Sequence, residues 1–263
     1  MRIGTRGSAL ALAQANWVAE RLDGAEVVVL RTSGDAGRAA GDKSRWVDAI
    51  EDALVRGDID LAVHSAKDVP GELAGGTAIV AVPPREDAAD VMVGDGRRVG
   101  TSSLRRRAQL LAHDPGREVV ELRGNVDTRL RKLAAGEVDA LVLAAAGLRR
   151  LGRDEGQRRL DHELFVPAPG QGCLAIQGRA GDDRAAALDD PAAHAALDAE
   201  RAAVRVLEAT CHTPVGVHAG GGSLRGFVGR PDGSAWVLDA IDDFDGERLA
   251  RRMLAAGARE ILA

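Results

Sequence analysis

The chain has 263 residues, enough for two or three domains with cores of their own, and its apolar content is carried by Ala, Val and Leu. With no Tyr, three Phe and three Trp it lacks the aromatic faces on which single-stranded nucleic acid stacks, and a net charge of −5 argues against a phosphate-backbone binder. Arginine nevertheless dominates the cations and clusters locally, which points to small anionic ligands.

Arg2 to Arg6 reads as a short strand ending at a loop, after which Ser8 caps a helix from Ala9 to about Leu22, with Leu10, Ala13, Trp17 and Arg21 on one side. Thr5, Arg6 and Ser8 thus sit near a helix N-terminus, a natural anion seat. Glu26 to Leu30 is a second strand, and the Gly- and Ala-rich stretch Ser33 to Asp42 reads as a loop. Ser44 is placed to cap the next helix, whose stripe is Trp46, Val47, Ile50 and Leu54 before Gly57. The buried-strand pattern Ile59 to Val63 then delivers His64-Ser65-Ala66-Lys67-Asp68-Val69-Pro70 onto a turn, and Thr77 to Val82 follows as a strand. Strands and helices alternating at this rhythm indicate an α/β domain with a largely parallel sheet.

Val91 to Val93 begins a crossover into a second domain of the same architecture, without a sequence repeat. Arg98 to Gly100 leads into Thr101, Ser102, Ser103, Arg105 and Arg106, hydroxyls followed by arginines at a strand-to-helix turn. Val119 to Leu122 is a strand, Asn125 caps a helix to Ala135 closed by Gly136, and Asp139 to Ala145 is a further strand. Phe165 to Gly172 reads as a return linker and Cys173 to Gln177 as a strand rejoining the first sheet. A helix over Ala192 to Glu208, a loop from Ala209 to Pro214, strands near Leu224–Val228 and Trp236–Ala240, and a terminal helix from Gly246 make a small α+β domain. The expected division is 1–85 with 173–190, then 86–172, then 191–263.

Arg6, Arg105, Arg106, Arg123, Arg129 and Arg150 all follow expected strand ends, which in open α/β sheets face the ligand crevice. Forked guanidiniums there suit a ligand with many carboxylates or phosphates. Cys173 and Cys211 are the only cysteines, and neither has the spacing of a disulfide framework or a zinc site. Cys173 reads as structural; Cys211 is either a small buried residue or a nucleophile or attachment point. His64 reads as a packing residue. The N-terminus lacks a signal-peptide core and no run approaches a membrane span, so a cytoplasmic protein with reduced thiols is expected.

Taken together, RIGTRGSALALAQA, DLAVHSAKDVP, VGTSSLRRRAQL, LRGNVDTRL, DALVLAAAGLRRLG, PAPGQGCLAIQ, ATCHTPVG and AGAREIL resemble, in order, the porphobilinogen deaminases, also called hydroxymethylbilane synthases. The resemblance spans nearly the whole chain. It implies two periplasmic-binding-protein-like α/β domains plus a small α+β C-terminal domain, usually as a monomer; the residues themselves give no support to a metal site. It implies a dipyrromethane cofactor held by Cys211 through a thioether, with four porphobilinogen molecules joined to it in turn. By the same resemblance Asp68 is the catalytic carboxylate, accepting pyrrole N–H bonds and stabilising an azafulvenium cation. Ser65, Lys67, Thr101, Ser102, Ser103, Arg105, Arg106, Arg123 and Arg129 would bind the cofactor. Arg6, Ser8, Arg123, Arg129, Arg150 and Gln171 would bind substrate. The loop from Ser33 to Lys43 is shorter than usual in the family, and Asp127 stands where glycine is frequent. The competing readings are a non-catalytic two-domain protein that clamps a polycarboxylate, and a paralogue impaired in elongation.

Overall fold

The structure, a computed structural model, describes residues 1–30, 44–210 and 213–263, with the backbone alone at 44–46. The expected loop Ser33–Asp42, the Ser44 cap, the Trp46 contact and Cys211 with His212 therefore lie outside the described residues or atoms.

Apolar runs just long enough for a buried strand give β1 (Arg2–Thr5), β2 (Glu26–Val29) and β3 (Leu61–Ser65), all parallel with β1 in the middle. Parallel neighbours need crossovers, here through α1 (Ala9–Ala19) and α2 (Ser44–Arg56). Ser8 caps α1 by accepting from the Ala11 amide at 3.3 Å. The face that α1 buries is Gln14, Ala15 and Val18, while the Leu10–Ala13–Trp17 side is only half covered. The helix stops before Leu22 because Arg21 and Leu22 bond three residues back, to Val18 and Ala19, tightening the last turn.

A 3₁₀ turn over Ala66–Asp68 and β4 (Thr77–Ala81) follow. The chain then crosses to β5 (Asp90–Gly94), β6 (Arg98–Gly100), α3 (Leu104–His113), β7 (Glu118–Val120), α4 (Val126–Ala134), β8 (Ala140–Ala144), α5 (Ala145–Arg150) and the short β9 (Arg158–Arg159). Val91 to Val93 is thus no mere crossover: β5 is a full strand of the second sheet, antiparallel to β8. The chain returns as β10 (Leu174–Arg179), inserted antiparallel between β3 and β4. Strand order is β2-β1-β3-β10-β4 in one sheet and β7-β6-β8-β5-β9 in the other. The two orders are the same if the strand that enters from the other sheet (β10, then β5) takes the fourth place. The expected repetition of architecture is therefore one of topology.

The remainder is α6 (Pro191–Val206), β11 (Val215–Gly220), β12 (Ser223–Gly229), β13 (Trp236–Ile241), α7 (Gly246–Met253) and α8 (Arg259–Leu262). Its antiparallel sheet packs on α6 and α7 through Leu207, Val217, Leu224, Val228, Leu249 and Met253. β11 escaped the sequence reading because two glycines and a histidine dilute its alternating Val215, Val217 and Ala219. Gly216 is needed there, since a Cβ would come within 2.7 Å of the Val166 carbonyl. Among the described residues no helix is long and apolar enough to cross a membrane. The molecule is thus mixed α/β, with two like sheets and a small C-terminal α+β unit.

Candidate active site

The end of β3 sets the site. The Val69 amide closes the 3₁₀ turn on the Ala66 carbonyl at 3.1 Å, and Ala66 and Val69 enter a buried cluster with Cys173, Ala193 and Leu197. That leaves Lys67 and Asp68 half-buried beside it. Just before the turn, the Ser65 hydroxyl is 2.8 Å from the Gln14 amide nitrogen. His64 is a packing residue: its Nε2 lies 3.1 Å from Gln177 Oε1, and burial pushes the imidazole down to about 4 against the effect of that bond.

Behind the turn stands a cluster that the sequence reading did not assemble. Asp90, 1 % exposed at the start of β5, accepts from Arg105 Nη1 and from Arg106 Nη2, both at 2.7 Å. Gln171 Nε2 donates to Asp90 at 2.8 Å and to the Ala88 carbonyl at 2.7 Å, while its Oε1 accepts from Lys67 Nζ at 3.4 Å. Gln171 is therefore a buried bridge between the two sheets, with its amide already engaged. Burial raises the Asp90 carboxyl, but the two guanidiniums outweigh it and hold the group ionised. Burial also lowers Arg105, and it presses the Lys67 amine down to about 8, with Arg106 adding to the effect and Asp68 and Asp90 opposing. Arg105 and Arg106, expected as open crevice cations, are 4 % and 7 % exposed and are clamped on an internal carboxylate. The reason is desolvation: two arginines in the first turn of a buried helix need an anion, and only tertiary folding supplies Asp90.

The other candidates separate into two groups. Arg129 lies at the site: its Nη2 donates to Ser102 Oγ at 3.0 Å, and burial, then Arg106, bring its guanidinium down to about 10 against the pull of Asp68. Arg6 follows β1 and faces the His64 imidazole electrostatically. Thr101 accepts from the Ser103 amide at 3.2 Å, and Ser103 caps α3, as Ser8 caps α1; these hydroxyls shape helix starts. Arg123 is exposed and donates to Glu121 at 2.6 Å, and Arg150 donates to the Gly172 carbonyl at 2.7 Å. Asp127 receives Arg153 at 2.5 Å in the first turn of α4. Among the described residues, then, Lys67 and Arg129 both feel Asp68 and Arg106, and Lys67 also feels Asp90 and Arg105, so one cluster holds these groups. Among these described groups cations outnumber carboxylates, and partial burial strengthens the imbalance.

Next to this cluster is a cavity of about 250 Å³. Lys67, Ser103, Arg105, Arg201, Thr210 and Thr213 supply its polar wall, and Val69, Leu104, Leu197, Val204 and Val215 are among its apolar residues. The return linker closes on the turn through Gly170 (φ +72°), where a Cβ would fall 2.9 Å from the Lys67 nitrogen. Gln14, Asp90, Glu200 and Arg201 were not singled out in the sequence. An acid heading an apolar strand run, as in Asp90-Val91-Met92-Val93, was the one usable sign of a buried ion pair.

A family model described as porphobilinogen deaminase, dipyromethane cofactor binding domain, matches residues 1–187, and one described as porphobilinogen deaminase, C-terminal domain, matches 195–251. The chain belongs to the porphobilinogen deaminase family. The porphobilinogen deaminase of Rubrobacter xylanophilus is 44 % identical over 99 % of this chain and 95 % of its own length, and that of Thermus thermophilus 43 % over 99 % and 97 %. Among solved structures, an ABC transporter protein from Parabacteroides distasonis is similar with a TM-score of 0.42 at 15 % identity, over 78 % of this chain and 72 % of its own. The methionine-binding protein MetQ has a TM-score of 0.40 at 16 % identity, over 70 % and 84 %. As a porphobilinogen deaminase, the chain uses the family's dipyrromethane cofactor. The cavity's donor set fits that group: cations and hydroxyls for its carboxylates, aliphatic walls for its pyrrole faces.

Proposed function

We propose that this chain is a hydroxymethylbilane synthase acting in porphyrin and haem biosynthesis. Four porphobilinogen molecules and one water become one linear hydroxymethylbilane and four ammonia. The observation that carries this reading is the cation-rich cluster around one half-buried carboxylate, Asp68, inside the segment matched by the cofactor-binding domain. Each porphobilinogen brings an acetate and a propionate, so the cation surplus lowers the cost of gathering several units in one place. Dipyrromethane, when bound, supplies the pyrrole carbon to which the first unit is joined.

In this reading the residues divide the work. Arg129 and Lys67 bind ligand carboxylates, while Asp90 and Gln171 hold Arg105, Arg106 and Lys67 in register. Ser65, Thr101, Ser102, Ser103 and Ser8 complete the hydrogen bonding, and Arg6, Arg123 and Arg150 serve the incoming unit. Loss of ammonia from porphobilinogen leaves an azafulvenium cation. Among the described residues no hydrogen bond takes up the Asp68 carboxylate, which supports its assignment as the charge facing that cation. Thr210 and Thr213 on the cavity wall flank Cys211 in sequence, which supports Cys211 as the thioether attachment point. The three sheets support division into domains 1–85 with 173–190, 86–172 and 191–263. A cytoplasmic location and a monomeric state belong to the same proposal.

Intact-protein mass spectrometry tests it. Protein from cells competent in tetrapyrrole synthesis is expected to carry the added mass of one dipyrromethane, lost in Cys211→Ser. An unmodified wild-type mass would sink the reading.

A further inference from the structure

The turn that carries Lys67 and Asp68 is held by the C-terminal unit, and the hold runs along one stripe of α6. Ala193 and Leu197 share a buried cluster with Ala66 and Val69. One turn further on, the same helix face carries Arg201. Its Nη2 donates to the carbonyls of both Pro70 and Gly71, each at 2.9 Å. From Val69 to Gly76 the backbone belongs to no strand or helix, so no ladder fixes these carbonyls. Pro70 has no N–H to offer a neighbour, and Gly71 is conformationally free. The linker glycine Gly170, whose amide donates to Glu200 of the same helix, packs closely on the Ala66–Lys67 peptide. The turn is thus held by both the linker and α6, with Arg201 as the polar half of the α6 hold. Burial, with Arg205 adding to the effect and Asp198 opposing, lowers the Arg201 guanidinium, in keeping with a cation drawn in to serve these carbonyls.

We infer that Arg201 is a positioning residue for Asp68, through which the C-terminal unit sets the geometry of chemistry carried on the first sheet. The inference rests on the role proposed for Asp68. Without the two bonds the turn is free to drift, and a displacement of about 1 Å at a reacting group costs up to ~10²-fold in rate.

Arg201→Met keeps the apolar stem and removes the donors, Arg201→Lys keeps a cation, and Arg205→Met on an exposed position of the same helix is the control. Arg201→Met is expected to lower kcat about tenfold or more while KM for porphobilinogen stays within about twofold, with partial recovery in Arg201→Lys. Amide exchange at Val69 is expected to quicken while β11–β13 keep wild-type protection. Wild-type kcat in Arg201→Met, or unchanged exchange at Val69, overturns the inference. So does a fall in kcat with faster exchange throughout α6 and β11–β13, the mark of a merely structural role. Exchange requires no turnover. A wild-type chain inert toward porphobilinogen would therefore remove the proposed function, while quickened exchange confined to 66–71 would still establish that Arg201 holds the turn.

Discussion

At the scale of single residues, a carboxylate among cations has two uses: it can neutralise them or meet a positive charge that forms later. Asp90 does the first, pinned between two guanidiniums and sealed from water. Asp68 stands half-exposed, the arrangement suited to the second. Asp68→Asn preserves shape and removes only the charge. Turnover of porphobilinogen is expected to fall by about two to three orders of magnitude with the thermal midpoint near that of the wild type. A steady-state assay beside a melting curve checks both parts, and near-normal turnover would remove Asp68 from the chemistry. The strand and the turn that carry Lys67 and Asp68 were legible from local pattern, but their roles came from the family resemblance, since the same pattern also suits a plain solvated turn. The fates of Arg105 and Arg106 were not, because Asp90 lies 15 residues or more upstream of both.

At the scale of elements, caps and strand runs were read well because their causes are local. Ser8 and Asn125 cap helices as their sequences require, and Gly136 ends α4 with φ +73°. The pairing of β3 with β10 was legible only as an expected return of the chain; its register places Ala175 opposite His64 and Ile176 opposite Val63. Inside that pairing His64 is held neutral by burial, with Gln177 beside it. The unfolded chain binds a proton near pH 6.5, whereas the folded imidazole resists it until about 4. Stability from this group is therefore full above pH 6.5 and declines as pH falls toward 4, by about 1.4 kcal/mol per pH unit. Burial lowers His162 as well, so it contributes in the same direction. Denaturant unfolding at pH 7, 6 and 5 is expected to show a shallower decline in His64→Phe than in wild type, and equal slopes would contradict this.

At the scale of the whole molecule, one buried ion pair joins the parts. Glu200 of α6, fully buried, accepts from Arg85 Nη1 at 2.6 Å, from the Gly170 amide at 2.6 Å and from the Ala219 amide at 2.8 Å. Arg85 lies in the crossover to the second sheet, and its Nε donates to the Gln171 carbonyl at 3.0 Å in the return. Burial opposes ionisation of both partners, yet Arg85 together with His218 holds Glu200 below the usual carboxylate range, and Glu200 is the main group raising Arg85, so the pair stays charged. Both strands of chain between the sheets and the C-terminal unit therefore meet at one carboxylate. Glu200→Leu strands the Arg85 charge and is expected to cost about 3–5 kcal/mol of unfolding free energy. Arg85→Met combined with it is expected to cost less than the sum of the single changes, measured by urea unfolding of all four proteins. Additive losses would show that the pair is not coupled.

Most strands and helices of the two larger sheets, the caps by Ser8 and Asn125 and the turn bearing Lys67 and Asp68 were determined by the sequence itself, because each depends on residues a few positions apart. The segments that mark the porphobilinogen deaminase family were legible for the same reason. Tertiary structure decided that Arg105 and Arg106 are held by an internal carboxylate, with Arg105 also lining the cavity beside Lys67 and Arg201. It also decided that Gln171 bridges the sheets, that β5 and β10 exchange places as fourth strands, that Arg201 ties the C-terminal unit to the turn, and that Glu200 ties it to the return linker. Those are matters of charge burial between segments some 15 to 130 residues apart, where the cost of removing an ion from water is met only by the partner that folding brings to it.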